Sequence, residues 1–225
     1  MTLLNIKLNN GTKRLVKYKA PNKGTVVIGG RTYPTVKIGN QWWLAENLDY
    51  KFKVNGSQIP IGVSGSPSTP VAWYYNNDES TYGINGTYKC GLLYNWYAAK
   101  YLDDNKATLL PNGWHVPSKS EWNTLATEVG GDSIAGTKLK ALDDSVTSGF
   151  PNGWNGTDNY GFSAIPSGNY CGIFREFGIG PNYWSTDIYS SDRSVVPYLR
   201  QSSSLNYANN IKTDGNTLRL VKTIT

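Results

Sequence analysis

The sequence predicts an α+β fold built from mixed short antiparallel sheets, two helices and long loops. The 225-residue chain contains 24 Gly, 16 Tyr and 8 Trp but only 1 Met. This composition is typical of many short elements joined by turns around a core of large rings, and it argues against a helical bundle. Glycine dipeptides that separate short apolar runs, and one strong helix start signal, give the same indication.

Three short apolar runs predict a small antiparallel meander near the start of the chain. The runs occupy residues 25–28, 32–38 and 41–44. Gly29-Gly30 and Gly39-Asn40 separate them, and these dipeptides accept the positive φ angles of tight hairpin turns. Residues 53–90 are rich in Gly, Ser, Pro and Asn with little periodicity, which predicts long loops.

Two helices are predicted in the middle of the chain. The first spans residues 118–129, where Ser118 and Glu121 form a capping box and Gly130 can end the helix. The second spans residues 133–142. Its apolar stripe consists of Ala135, Leu139 and Leu142.

Positive charge is concentrated near the N-terminus. The net charge is +6, yet residues 1–53 hold 10 Lys/Arg against 2 Asp/Glu, and the remaining residues hold 12 against 14. A near-neutral body argues against a nucleic-acid partner. We expect an N-terminal arm over residues 1–30 for attachment or oligomerisation, followed by one domain over residues 31–225. No apolar run reaches the roughly 18 residues that a membrane span needs, so no membrane insertion is expected.

Residues that could carry catalysis are few. His115 is the single histidine, so any catalytic triad would depend on it; a hydrogen-bonded structural imidazole is the preferred interpretation. No phosphate-binding loop, nucleophile elbow or paired-cysteine metal motif occurs. Cys90 and Cys171 either pair or remain buried free thiols. We therefore expect that the chain is not an enzyme.

One loop offers weak evidence for calcium. It contains Asn76, Asn77, Asp78 and Glu79, whose oxygens are the ligand type that Ca²⁺ prefers. The alternative is a solvated polar loop, which is the more common outcome for adjacent acidic residues. We expect no cofactor otherwise, and no transition-metal site because the ligands are missing.

The last third of the chain has the composition of a binding surface. Residues 183–210 comprise 28 residues, of which 4 are Tyr, 7 are Ser and 3 are Asn. Tyr offers large contact area at low entropy cost, and Ser and Asn offer adaptable hydrogen bonds. The alternative is a polar loop with ordinary turn formers. The predicted ligand-binding residues are Asp187, Tyr189, Ser191, Asp192, Arg193, Tyr198, Arg200, Ser202, Ser204, Asn206, Tyr207, Asn209 and Asn210.

Six ordered motifs make the sequence recognisable. They are TVKIGNQWWLAENL (35–48), GLLYNWYAA (91–99), GWHVPSKSEW (113–122), AGTKLK (135–140), GFSAIP (161–166) and YWST (183–186). Together they resemble the Fibrobacter succinogenes major paralogous domain family, which is common in gut Bacteroidetes and their phages. The resemblance runs from about residue 30 to the C-terminus.

The resemblance implies a C-type-lectin-like fold with a short N-terminal extension. The family is similar to the variable proteins of diversity-generating retroelements, in which the two ends of the domain pair and a surface near the C-terminus tolerates substitution while binding ligand. Such elements mutate adenines, and residues 187–210 look like the outcome. It is also distantly similar to formylglycine-generating enzymes, but Cys171 alone cannot supply their cysteine pair. Leu110 and Asn216 stand where the family often has Cys and an aromatic residue.

The resemblance therefore favours a receptor-binding protein whose partner is a host-cell surface protein or glycan. We expect it at a phage tail-fibre tip in the virion, since Met1 is followed by no signal-peptide core, with a trimer by analogy. A bacterial adhesin or pilus-tip domain at the cell surface is the alternative. A formylglycine-type enzyme is a remote third.

Overall fold

The computed structural model describes residues 22–64, 67–79, 90–142 and 153–224, together with the backbone of residues 2–7, 13–18, 82–83 and 88–89. The strands in these parts are β1 (Thr2–Lys7), β2 (Lys13–Tyr18), β3 (Asn22–Ile28), β4 (Arg31–Ile38), β5 (Gln41–Leu44), β6 (Lys53–Val54), β7 (Ser57–Gln58), β8 (Ala72–Trp73), β9 (Tyr82–Gly83), β10 (Tyr88–Lys89), β11 (Leu93–Tyr94), β12 (Ser167–Tyr170), β13 (Phe174–Phe177), β14 (Arg193–Leu199), β15 (Leu205–Ile211) and β16 (Val221–Thr223). The α-helices are α1 (Trp96–Asp104), α2 (Lys106–Leu109), α3 (Lys119–Glu128) and α4 (Asp132–Leu139). The mixed α+β class with several short antiparallel sheets is confirmed.

The prediction of two helices is wrong, because the described part of the chain holds four. The sequence prediction did not include α1, because its nine residues begin in an aromatic-rich run that also favours a strand. Trp96, Ala98 and Leu102 are buried in it, and tertiary packing stabilises so short a helix. Asn95 begins it by accepting a bond from the Ala98 amide. None of the described helices is long and apolar enough to cross a membrane.

The helix predicted at residues 118–129 is confirmed as α3. Ser118 is its N-cap, and the reciprocal bonds with Glu121 complete the capping box. The helix predicted at residues 133–142 is confirmed as α4 with a corrected end, since it stops at Leu139. Lys140 is fully buried and extended there, and the amide of Ala141 bonds to the Ala164 carbonyl instead of continuing the helix. Leu142, predicted to face the core, is 53% exposed.

The main sheet has the antiparallel order β16-β5-β4-β3, which confirms the predicted meander. Gly29, Gly30 and Gly39 all have positive φ in its turns. The predicted boundary at residue 30 falls inside the β3–β4 turn, so β3 belongs to the sheet of the domain. β16, near the C-terminus, pairs with β5, as the resemblance implied for the two ends of the domain.

Four aromatic rings from four different motifs meet in the core behind this sheet. Trp43 lies 4.8 Å from Trp122, and Trp122 lies 5.0 Å from Tyr183, measured between ring centroids. Phe162 contacts Trp43 edge-on at 5.8 Å. All four side chains are fully buried. Motifs that lie far apart in the chain therefore each contribute a packing residue to one aromatic core.

Arg219 connects distant parts of the chain from within this core. Its side chain is fully buried and donates to the Asn47 amide oxygen at 2.8 Å and to the carbonyls of Leu44, Phe162 and Ser163 at 2.9, 2.6 and 2.9 Å. The guanidinium also lies 4.7 Å from the centroid of the Phe162 ring. Burial lowers the pKa of Arg219 from its ordinary value, and the oxygens around it compensate for the lost water.

Replacement of this residue tests its role. We expect Arg219→Met to lower the free energy of unfolding by about 3 kcal/mol or more, because it leaves several buried oxygens without a donor. Arg175→Met removes an exposed arginine from β13 and serves as the control, with an expected change below about 0.5 kcal/mol. Denaturant titration of both variants measures the difference. Equal losses would contradict the assigned role.

Candidate functional site

The predicted binding residues lie on and around one hairpin, which consists of β14 and β15. The strands pair from Arg193–Ile211 to Leu199–Leu205. The segment at residues 181–187 runs along the other side of β14, with the amides of Tyr183 and Ser185 bonded to its carbonyls. β14 is thus an inner strand of this layer.

Buried residues fix the hairpin to the core. Val196, Leu199 and Leu205 are almost completely buried. Trp184, in the neighbouring segment, donates from its indole N–H to the Tyr94 carbonyl at 2.6 Å. The Ser194 hydroxyl donates to the Asp187 carbonyl. These contacts set the backbone path of residues 187–210.

Two buried lysines hold the turns at the two ends of the hairpin. Lys212, only 6% exposed, donates to the carbonyls of Ser190 and Ser191 at 3.0 and 2.8 Å. Lys140, fully buried, donates to the carbonyls of Arg200 and Ser202 at 2.7 and 2.9 Å. Because every residue has a carbonyl, these bonds do not depend on which side chains the turns carry.

None of the thirteen predicted residues is buried, but they do not form a single surface. Side chains alternate between the faces of a strand. One face carries Arg193, Tyr207 and Asn209. The opposite face carries Tyr198, Asn206 and Asn210. β14 has seven residues, so the turns at its ends lie about 20 Å apart.

The tip loop, residues 188–192, is the most exposed part of this region. Tyr189 is 63% exposed and Ile188 60% exposed; Ser191 and Asp192 are also exposed. Ile211, 40% exposed, pairs with Arg193 at the same end of the hairpin. Exposed apolar side chains rimmed by polar ones are typical of interaction sites. The sequence interpretation missed the two isoleucines because it selected residue types found in paratopes.

A patch beside α3 continues this surface. The Tyr207 hydroxyl donates to the Asn123 side chain at 2.6 Å, and the Lys119 ammonium lies 5.2 Å from the centroid of the Tyr207 ring. The Asp187 carboxylate accepts a bond from the Lys119 amide at the start of the helix. Arg193 bonds to the Asn209 side chain at 3.3 Å. Lys119 and Asn123 lie on α3, far from the hairpin in sequence, so proximity in sequence could not have indicated them.

The far turn, residues 200–204, contains the predicted binding residue Arg200, whose side chain already bonds to other parts of the protein. Arg200 donates to the Glu176 carboxylate at 2.7 Å and to the Asn182 side chain at 2.9 Å. Its guanidinium lies 4.8 Å from the centroid of the Tyr198 ring. Burial lowers the pKa of Arg200 from its ordinary value. Arg200 therefore supports the hairpin, while Ser202 beside it is exposed.

A family model described as Fibrobacter succinogenes major domain matches residues 36–222. The chain belongs to this family. The matched range includes the hairpin, Lys140 and Lys212, and β5 of the main sheet, and it covers parts of β4 and β16. A comparison with curated proteins finds no match.

His115 is the histidine of the GWHVPSKSEW motif in this family domain, and both its ring nitrogens are bonded. Nε2 lies 2.7 Å from the Glu121 carboxylate, and Nδ1 lies 3.0 Å from the Gly113 carbonyl. The bond with Glu121 raises the pKa of His115, against the effect of burial. Burial raises the pKa of Glu121, but the bonds from His115 and Ser118 outweigh it and bring it to about 2. Both ring nitrogens of His115 therefore have a partner within the protein, as expected for a hydrogen-bonded imidazole.

The other candidates for chemistry lie apart from one another. Cys90 is buried, Cys171 is exposed, and both are free thiols. In the predicted calcium loop, the Glu79 carboxylate accepts bonds from the Lys51 ammonium at 2.8 Å and the Tyr74 hydroxyl at 2.9 Å. No group of three or more His, Cys, Asp or Glu side chains that could hold a metal occurs among the described residues.

The His115–Glu121 pair makes stability depend on pH. Because the pKa of His115 is raised, its contribution is complete below the ordinary value of 6.5 and is lost as the pH rises through the raised value. Because the pKa of Glu121 is lowered to about 2, its contribution is complete above 4.5 and is lost as the pH falls toward about 2. The pair stabilises the fold most between pH 4.5 and 6.5.

We expect His115→Gln to lower the free energy of unfolding by on the order of 1 kcal/mol at about pH 5.5, and by less than half of that at about pH 9. Denaturant titrations of the wild type and the variant at both pH values measure the two differences. The same loss at both pH values would show that the ion pair is not the cause.

Proposed function

We propose that this domain is a ligand-binding protein without catalytic activity, whose C-terminal hairpin presents a substitutable surface. The observation that carries the proposal is the way in which the tip loop and the far turn are held at the two ends of the hairpin. Lys212 and Lys140 bond to main-chain carbonyls of residues 190, 191, 200 and 202. The backbone is thereby fixed by groups that survive any side-chain replacement in the turns.

The side chains on this fixed backbone have the chemistry of a recognition surface. The tip loop offers Ile188 and Tyr189, and the patch beside α3 offers Tyr207 and Lys119. Arg193 lies between them through its bond to Asn209. Aromatic and Arg side chains dominate the energy of most interfaces. We propose this continuous surface as the binding site and assign the far turn a supporting role.

The family resemblance of the sequence motifs implies a more specific role than ligand binding alone. We propose a C-type-lectin-like domain of the kind diversified by retroelements, acting as a receptor-binding protein at a phage tail-fibre tip or on a cell surface. Its partner would be a host-cell surface protein or glycan. Substitutable positions on a fixed backbone suit such a role, because a new ligand requires new side chains but no new fold.

Binding to intact cells tests the proposed surface. The fluorescently labelled full chain is titrated onto a panel of intact bacterial strains, alongside Tyr189→Ala, Arg193→Ala and Ser202→Ala. We expect the first two variants to bind about thirtyfold more weakly, corresponding to about 2 kcal/mol each at a hot spot. Ser202→Ala, an exposed change at the far turn, is the control and should bind like the wild type.

Two results would contradict the proposal. One is equal binding by the wild type and all three variants, which would place the site elsewhere. The other is a folded wild-type chain that binds no strain of the panel.

A further inference from the structure

Two open clefts meet at Trp114, away from the hairpin. The first, of about 470 Å³, is lined by Gly24, Thr25, Thr35, Trp42, Trp114, Lys222 and Ile224. The second, of about 490 Å³, is lined by Lys106, Ala107, Leu110, Asn112, Gly113, Trp114 and His115. Both volumes fall within the range of about 300 to 1,000 Å³ that is usual for ligand clefts.

The outer face of the main sheet forms the floor of the first cleft. Trp42 is half-buried on β5, and its direct cross-strand neighbours are Lys37 on β4 and Lys222 on β16. Directly paired residues point to the same face. Gly24 allows the indole to lie close, since a Cβ there would come within 3.1 Å of the Trp42 ring. The result is a flat indole with an ammonium group on each side.

Two polar groups in this cleft are almost buried and have no hydrogen-bond partner in the part of the chain that the structure describes. Thr35 is 3% exposed and Trp114 is 6% exposed. Among the described residues, none accepts a bond from the Trp114 indole N–H or bonds to the Thr35 hydroxyl, and neither atom is fully enclosed. Unpaired polar groups at the wall of a cleft are costly unless water or a ligand satisfies them.

The charged side chain that lines the first cleft is a cation. The Lys222 stem packs on Gly113, where a Cβ would meet it at 3.1 Å, while its ammonium and that of Lys37 pair with no described carboxylate. No Asp or Glu belongs to the described lining of either cleft. In the second cleft, Lys106 and His115 are already paired with Asp103 and Glu121, so the free positive charge lies in the first cleft. An anionic ligand fits this distribution.

We propose that the paired clefts bind an acidic saccharide, with one sugar ring stacked on Trp42 and its carboxylate held by Lys222. A sugar offers polarised C–H groups to the negative face of an indole. Its hydroxyls can both donate and accept, which matches the Thr35 hydroxyl and the Trp114 N–H. Because Trp114 belongs to both clefts, an oligosaccharide can continue from one into the other. An open cleft leaves the remaining hydroxyls hydrated.

Titration calorimetry with matched glycans tests this site. The full chain is titrated with sialyllactose and with oligogalacturonate, and with lactose and maltooligosaccharide as their neutral counterparts. We expect at least one acidic glycan to bind about tenfold or more tightly than its neutral counterpart, with affinity that falls as salt rises. Trp42→Ala should abolish measurable binding, and Lys222→Gln should weaken it about tenfold.

Two control variants separate this site from other sources of binding. Lys53→Gln removes an exposed charge outside the clefts, and Tyr189→Ala alters the tip loop; both should bind acidic glycans like the wild type. Equal affinity for acidic and neutral glycans, or no binding of either, would overturn the proposal. Unchanged glycan binding by a folded Trp42→Ala variant would also overturn it. So would self-association of the wild-type chain that the Trp42→Ala variant loses, or tighter binding of an oligonucleotide than of any acidic glycan. Tyr189 lies in the tip loop and lines neither cleft. A negative result in the glycan titration therefore leaves the interpretation of the cell-binding experiment unchanged.

Discussion

Buried cations hold this structure together, and each is stabilised in the same way. Arg219, Lys140 and Lys212 are at most 6% exposed, and each lies within 5.0 Å of the centroid of an aromatic ring. Their bonds go to carbonyl and amide oxygens. A buried charge is tolerable only when such partners replace its water. One long side chain can therefore bond several loops that have no regular secondary structure.

This arrangement separates the residues that hold the backbone from those that meet the solvent. Arg219 bonds β5 to the segment around Phe162, and the two lysines extend the same principle to the turns of the hairpin. Most of their acceptors are main-chain carbonyls, so the fold places few demands on the side chains of the turns. Some surface side chains are exceptions, because they bond to neighbouring segments: Asp187, Arg200, Tyr207 and Asn210. A binding surface could change on such a scaffold without loss of stability.

The sequence predicts those parts of the fold whose signals are local. The capping box at Ser118 and the glycine turns of the meander depend on neighbouring residues, and α3 and the sheet follow. α1 was not predicted despite its cap at Asn95, because its short aromatic-rich sequence also favours a strand. The role of Lys212 could not be read either, since a buried lysine and an exposed one look alike in sequence. Composition located the hairpin but could not tell its two faces apart. Ile188 was missed because isoleucine is not one of the residue types that dominate paratopes.

We propose that substitution is confined to solvent-facing positions of residues 187–210. Deep sequencing of the 3′ end of the gene across a population of its source measures this directly. We expect substitutions at exposed positions such as Tyr189 and Ser191. The buried Val196 and Leu199 within the same stretch, and Arg219 beyond it, should stay constant. Substitutions spread evenly over buried and exposed codons, or a profile without variation, would contradict the claim.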